Sequence, residues 1–281
     1  MAKLLVLGAG YVGQEILRLG ARAGDTCFAV SRSASSNLKG VRSLTADVTD
    51  PGSLSTLHQE IGDVDDIVYA IAPGAAVEEA YERTYVIGLS RALAEFQGAR
   101  LFLISTTRVY GSRSGELVDD KTEALSDDAC GELILEGEKL VRGESARNVI
   151  LRASGIYGPG RTRLAESLLS QELPVELQGT ITNRIHRDDL AGLVSFLRSR
   201  DDAGTFVASD PNPAALGEMQ RELKSLQERL AFTPERQKST RTRRSKSRRV
   251  LPTRLLALGY DFLYPSFREG YASIFRRRAS A

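Results

Sequence analysis

The 281-residue sequence predicts an α/β fold, a doubly wound parallel sheet with a small C-terminal lobe. Three observations predict it. An apolar N-terminal strand runs straight into a Gly-x-Gly-x-x-Gly turn and then an apolar-periodic helix. Short apolar segments afterwards alternate with helix-length ones, and strands so separated pair in parallel through right-handed crossovers with both sheet faces covered. The chain also exceeds one ordinary domain of about 150 residues, which leaves room for an appended lobe.

The elements follow in order. Lys3–Leu7 is the first strand and Gly8-Ala9-Gly10-Tyr11-Val12-Gly13 the turn. Gly8 permits the tight turn, Gly10 lets backbone approach a phosphate with no Cβ in the way, and Gly13 allows helix to pack on strand. With the helix N-terminus behind it, this is the Rossmann-type cradle for a dinucleotide pyrophosphate. Ile16, Leu17 and Leu19–Ala21 carry the helix, and Gly24 stops it. Thr26–Val30 is the second strand. It ends about 20 residues past the glycines, where an NAD-preferring site places a carboxylate for the ribose 2′-hydroxyl. This chain has Ser31-Arg32-Ser33 there. A guanidinium pairs with a 2′-phosphate through charge-assisted hydrogen bonds, so NADP is expected over NAD.

Gly40–Leu44 is a short strand leading to Ala46-Asp47-Val48-Thr49-Asp50, after which Pro51 opens a helix through Leu57. Asp66–Ile71 is a buried strand ending at Pro73-Gly74, followed by a helix from about Val77 to Gln97. Arg100–Ser105 is a strand, 127–143 a helix, and Asn148–Arg152 another strand. The expected division is a dinucleotide-binding domain over 1–152, with a strand and helix returning at about 186–208, and a substrate lobe over 153–185 and 209–281. Ligands bind beyond the carboxyl ends of parallel strands, so the residues after Leu7, Val30, Ile71, Ile104 and Leu151 matter most.

Composition narrows the classes. Hydrophobic residues make up 42% of the chain, enough for a sizeable core. No apolar run approaches the ~18 residues of a membrane span, and the first strand begins at once, so a cytoplasmic protein is expected, with neither transmembrane helix nor signal peptide. Two cysteines, Cys27 and Cys130, and two histidines, His58 and His186, make no disulfide framework and no metal site. The net charge of +2 hides an asymmetry: residues 221–281 carry 16 Lys and Arg against 5 Asp and Glu. The densest stretch, Arg236 to Arg249, lacks interleaved aromatics and any recognition module. It reads as a solvated loop facing an anionic substrate or cofactor, with no specific nucleic-acid binding expected.

Four further segments carry a resemblance: Ser105-Thr106-Thr107-Arg108-Val109-Tyr110-Gly111, Leu151-Arg152-Ala153-Ser154-Gly155-Ile156-Tyr157-Gly158-Pro159-Gly160, Asn183-Arg184-Ile185-His186-Arg187-Asp188-Asp189-Leu190-Ala191, and Tyr264-Pro265-Ser266-Phe267-Arg268-Glu269-Gly270. With the glycine turn, their order and spacing resemble the short-chain dehydrogenase/reductases. The branch is the extended, NAD-dependent epimerase/dehydratase-like one, in its atypical bacterial form. The resemblance runs from the glycines to about Tyr271. It implies Asp47 and Val48 beside the adenine, Ala70, Ile71 and Ala72 under the middle of the cofactor, Ser105 among the cofactor contacts, and Ile156 and Tyr157 next to the nicotinamide. Thr106 matches the Ser/Thr that hydrogen-bonds the reacting oxygen, with Tyr110 and Tyr157 as further catalytic candidates. Arg184, His186 and Asp189 match the substrate-lobe motif, although an Asp before Leu190-Ala191 also reads as a helix N-cap. The helices at 77–97 and 127–143 would be the faces of a homodimer.

One departure stands out. Members of this family use a Tyr followed four residues later by Lys, a spacing that puts the ammonium beside the phenol and lowers its pKa. No Tyr-x-x-x-Lys occurs in the chain, and the matching helix has Cys130 and Ile134 at those places. Two readings therefore stand. One is an NADP-dependent oxidoreductase or epimerase acting on a carbonyl or nucleotide-sugar-type molecule. The other is an NADP-binding sensor or partner-binding protein without hydride transfer.

Overall fold

The computed structural model describes residues 1–33, 36–111, 115–230 and 247–279. A seven-stranded parallel sheet runs through it: β1 Lys3–Leu7, β2 Thr26–Ser31, β3 Val41–Thr45, β4 Asp66–Tyr69, β5 Arg100–Thr106, β7 Val149–Ala153 and β11 Gly204–Ala208. The spatial order is β11-β7-β5-β4-β1-β2-β3. In sheet-strand sequence this is the 3-2-1-4-5-6 winding of a Rossmann fold with one more strand at its far edge. Order reverses between β1 and β4, and that switch point is where such sheets bind ligands. Leu4 to Leu7 are wholly buried, as a central parallel strand covered on both faces requires. The helices α1 Gly13–Arg22, α2 Pro51–Ile61, α3 Glu78–Tyr81, α4 Leu89–Glu95, α5 Ala129–Glu144 and α8 Arg187–Arg198 alternate with these strands.

Local chemistry fixes the helix starts. The Asp50 carboxylate accepts from the Gly52 N–H at 3.0 Å with Pro51 in the first turn, and the Asp128 carboxylate accepts from the Gly131 N–H at 2.8 Å at the head of α5. Two deviations from the sequence expectation bear on the site. The fourth strand ends at Tyr69, although the Ala70 N–H still donates to the Leu7 carbonyl at 2.8 Å, and Ala70 to Ala72 form the turn beyond it. The helix expected at 77–97 is instead α3 and α4 joined by a π-helical turn over Glu82–Gly88. Such one-turn widenings are rare and frequent at functional sites.

The chain divides into two compact units. The first comprises residues 1–111, 123–152 and 190–206 and holds most of the sheet; the second comprises 112–122, 153–189 and 207–281. In the second, residues 112–122 belong because β6 Leu117–Val118 pairs in parallel with β13 Arg249–Val250. Asp120 reinforces this, accepting from the Thr253 hydroxyl at 2.9 Å and the Arg254 N–H at 2.8 Å at the start of α10 Thr253–Ala257. Its remaining frame is β8 Gly155–Tyr157, α6 Arg163–Ser170, α7 Val175–Gln178, β9 Ile181–Thr182, β10 Arg184–His186, β12 Ala214–Ala215, α9 Leu216–Leu230 and α11 Phe267–Ala279. Leu168, Met219, Leu223, Phe267 and Phe275 form its core. Among the described residues no helix is long and apolar enough to cross a membrane. Of the basic run, residues 236–246 lie outside the described residues.

Candidate functional site

The glycine turn sits at the switch point. Gly8 has φ +99°, a conformation that side chains disfavour, and a Cβ there would lie 2.7 Å from the Ala70 carbonyl group and 2.8 Å from the Ile71 nitrogen. Only glycine lets the end of β1 pass so close to the chain leaving β4. At Gly13 a Cβ would lie 2.3 Å from the Gly8 oxygen and 3.0 Å from Val6 Cγ1, so helix α1 seats directly on its own strand. Gly10 differs: a Cβ there would meet nothing within 4 Å. The turn is braced from behind, with the Gly8 and Ala9 N–H groups both donating to the Val30 carbonyl and Gln14 Nε2 donating to the Ala9 carbonyl. Val12, at the N-cap of α1, offers no capping side chain; the Gln14 N–H donates to the Gly10 carbonyl and the Glu15 and Ile16 N–H groups to the Val12 carbonyl, so the positive end of the helix dipole lies at the glycine turn. Tyr11 is half-buried beside it. The residues fit a pyrophosphate: a bare, unobstructed backbone at a helix N-terminus.

At the next strand ends, Ser31 pairs with Thr45 across β2 and β3, and the Ala46 N–H donates to the Ser31 carbonyl. Exposed Arg32 thus emerges beside Asp47. Asp47 Oδ1 accepts from the Thr49 N–H at 2.8 Å and the Thr49 hydroxyl at 2.7 Å. These bonds hold its carboxyl below the usual carboxylate value, the backbone bond contributing most, and the Arg32 and Arg83 guanidiniums add to the pull. Val48 is buried against the helix at Gly88. The sequence did not single out Arg83. Its Nη2 donates to Thr49 Oγ1 at 3.2 Å, a contact between segments 34 residues apart that no local pattern announces.

Beyond β5 the hydroxyls divide. Ser105 Oγ donates to Glu138 Oε1 at 2.7 Å, whereas half-buried Thr106 accepts the Arg108 N–H at 3.2 Å and caps the 3₁₀ turn Thr107–Tyr110. That bond uses a lone pair of Thr106 and leaves its proton to donate. Arg108 fixes the turn by pairing with Asp128 and donating to the Tyr81 hydroxyl at 3.0 Å. Tyr110 is fully buried, its ring under the Arg152 guanidinium at 4.9 Å. Arg152 in turn pairs with Glu138 at 2.6 Å. Cys130 and Ile134, one turn apart on α5, are both buried.

In the second unit β8 and β10 pair in parallel, Ile185 with Ile156 and His186 with Tyr157. An aromatic stack runs from Tyr264 to His186 (4.0 Å between centroids), to Tyr157 (5.1 Å) and to Tyr271 (4.6 Å). His186 Nδ1 accepts from the Asp188 N–H. Arg184 Nε donates to Thr182 Oγ1 at 2.8 Å, and its guanidinium lies over Gly155, where a Cβ would be 2.7 Å from Nη1. Ile156 is half-buried. The Tyr157 hydroxyl donates to the Ser266 carbonyl at 3.3 Å, and burial drives the phenol above its ordinary range. Asp189 is not an N-cap: it is the third residue of α8, and its carboxylate accepts from the Leu263 N–H at 2.7 Å and the Tyr264 N–H at 3.0 Å. Burial outweighs these bonds and raises its pKa to about 6.

The family described as the RmlD substrate binding domain matches residues 2–176. Among solved structures, a Methylobacillus flagellatus protein provisionally named an NAD-dependent epimerase/dehydratase is 30% identical, covering 99% of this chain and 98% of its own at a TM-score of 0.81. The UDP-glucose 4-epimerase of Thermus thermophilus, in complex with NAD, shares the fold at 18% identity and a TM-score of 0.79, covering 98% and 99%. WbmG of Bordetella bronchiseptica, in complex with NAD and UDP, shares it at 16% identity and a TM-score of 0.78, covering 98% and 93%. No curated protein matches the sequence. The match over residues 2–176 and the 30% identity along nearly the whole of both chains place this chain in the RmlD substrate binding domain family, among the NAD-dependent epimerase/dehydratase-like proteins.

Proposed function

We propose that this chain binds NADP in preference to NAD and uses it to oxidise or reduce a carbonyl or nucleotide-sugar-type small molecule, as an oxidoreductase or epimerase. The observation that carries the reading is the glycine turn after β1, where Gly8 packs against Ala70 and Ile71 beyond β4 and the backbone at Gly10 is open and free of side chains, with helix α1 behind it. Gly8, Gly10, Tyr11, Val12 and Gly13 hold the pyrophosphate, Asp47 and Val48 flank the adenine, and Ser31 and Arg32 meet the ribose 2′-phosphate. Ala70, Ile71 and Ala72, with Ser105, lie along the cofactor's middle. In the second unit, Arg184 and His186 take the substrate. The names of the Thermus and Bordetella structures, with NAD and UDP bound, support a dinucleotide and a nucleotide-linked substrate here. The two free buried cysteines, Cys27 and Cys130, accord with a reducing cytoplasm.

Bound there, the dinucleotide supplies or accepts the hydride. Thr106, whose oxygen already accepts the Arg108 N–H, donates a hydrogen bond to the substrate oxygen and stabilises charge developing on it, the proton that neutralises that charge coming from solvent. We assign no proton transfer to Tyr110 or Tyr157, because both hydroxyls lie in packed interior. A second reading, cofactor binding without hydride transfer, draws on the burial of Cys130 and Ile134 on α5, where the resemblance puts Tyr and Lys.

Absorbance of bound NADPH, followed across carbonyl compounds and nucleotide sugars, tests the proposal. Thr106→Ala should cut turnover ~100-fold or more while NADPH still binds, by analogy with removal of an oxyanion donor. Cys130→Ala should stay within about tenfold of wild type, since in this reading Thr106, and not the buried thiol, donates to the reacting oxygen. If no substrate ever changes the redox state of the bound cofactor, the second reading replaces the first.

A further inference from the structure

We propose that Arg83 is a second determinant of cofactor choice, meeting the 2′-phosphate of an NADP-type dinucleotide from a different element than Arg32. The inference rests on the reading that the cofactor is NADP, and it adds a residue which neither the glycine turn nor the strand-end pattern reveals.

The helix around Arg83 is held at two points. Gly88 closes the π-helical turn, and a Cβ on it would lie 2.7 Å from Val48 Cγ2 and 2.8 Å from the Tyr69 hydroxyl. Tyr69 donates that hydroxyl to the Thr84 carbonyl at 2.7 Å. The turn is thus pinned at Thr84 and Gly88 against the ends of β3 and β4. Arg83 stands next to the first pin, exposed, and reaches Thr49 Oγ1 at 3.2 Å.

That contact puts a second guanidinium at the place where Arg32 emerges. Arg32 follows the Ser31–Thr45 pair and lies beside Asp47; Arg83 holds Thr49, whose N–H and hydroxyl are both bonded to Asp47. Asp47 feels both cations. Asp50, the next carboxylate along, is occupied in capping α2. Two guanidiniums, one on a strand-end loop and one on a wide helical turn, converge on a single bonded carboxylate. A phosphate dianion is the group that such a pair accommodates, and the planar fork of arginine suits its oxygens. A 2′-hydroxyl gives a guanidinium no charge to meet, so Arg83 separates the two cofactors as well as gripping one.

The alternative is that Arg83 only braces the Asp47–Thr49 turn, which would serve both cofactors equally. Titration of wild type, Arg83→Ala, Arg83→Lys and Arg32→Ala with NADPH, NADH and adenosine 2′,5′-bisphosphate separates the two. Arg83→Ala should weaken NADPH and the bisphosphate roughly five- to tenfold and leave NADH within about twofold, with Arg83→Lys in between. The ligand-free melting temperature should not move, because the side chain is exposed. Equal weakening of NADPH and NADH would make Arg83 a brace and overturn the inference. No weakening in Arg83→Ala, with a clear loss in Arg32→Ala, would overturn it while leaving the cofactor reading intact. A wild type that binds NADPH and NADH equally would overturn the cofactor reading itself, and the inference with it.

Discussion

Replacing Glu138 by Ala should destabilise the first unit more than any other single truncation of a polar side chain near the site. Glu138 is fully buried on α5. Its two oxygens accept Arg152 Nε at 3.0 Å and Nη2 at 2.6 Å, the Ser105 hydroxyl at 2.7 Å, and Arg142 Nη1 at 3.2 Å. Arg142 is exposed and can turn to water, but Arg152 is almost as buried as its partner, under Glu138 and over the Tyr110 ring. Truncation therefore strands a guanidinium in the interior, which costs about 3–5 kcal/mol. For a chain of this size that is a melting-temperature loss on the order of 10 °C. Thermal unfolding followed by circular dichroism, without cofactor because a native-state ligand would mask the loss, measures it. Glu138→Leu combined with Arg152→Met should recover most of the stability, since both charges then leave together. A loss below about 1 kcal/mol in the single variant, or a double variant no better than the single, would refute the reasoning. Ser105, held by Glu138, also fixes the end of β5 next to Thr106, the hydroxyl proposed above to donate to the substrate oxygen.

Asp189 makes a pH prediction. Its folded-state pKa of about 6 lies above the usual carboxylate value, so its contribution is fully present in acid and is lost as pH rises through 6. Wild type should lose about 3 kcal/mol relative to Asp189→Asn between roughly pH 4 and pH 7, and parallel pH profiles for the two would sink the assignment. The basic run should bind nucleic acid only weakly and without sequence preference, with affinity collapsing as salt rises; submicromolar, sequence-selective binding at physiological salt would contradict that.

The strand ends were legible because each carries a local signal. Lys3–Leu7 into three glycines, Pro51 after Asp50, and apolar runs bounded by Gly and Pro all report on backbone a few residues away, and the parallel pairing follows from helix-length segments between successive strands. What escaped depends on distant packing. The π-helical turn exists because Gly88 seats on Val48 and Tyr69, which nothing within residues 78–95 specifies. Asp189 read as a cap because a short-range rule fits it, yet its oxygens serve backbone 74 and 75 residues later. The Glu138–Arg152 pair did leave a trace: a carboxylate one turn beyond Ile134 on the buried face of α5, and an arginine inside the apolar strand Val-Ile-Leu-Arg-Ala. Opposite charges at two interior positions of adjacent elements ask for each other.

The central claim is that the first unit selects a dinucleotide carrying a 2′-phosphate, and calorimetric titration of wild type and Arg32→Ala with NADPH and NADH tests it most directly. A charge-assisted hydrogen bond is worth about 1.5–3 kcal/mol, so wild type should prefer NADPH by roughly tenfold or more, and Arg32→Ala should lose most of that preference while binding NADH unchanged. Equal affinity of wild type for the two cofactors, or tighter binding of NADH, would contradict it.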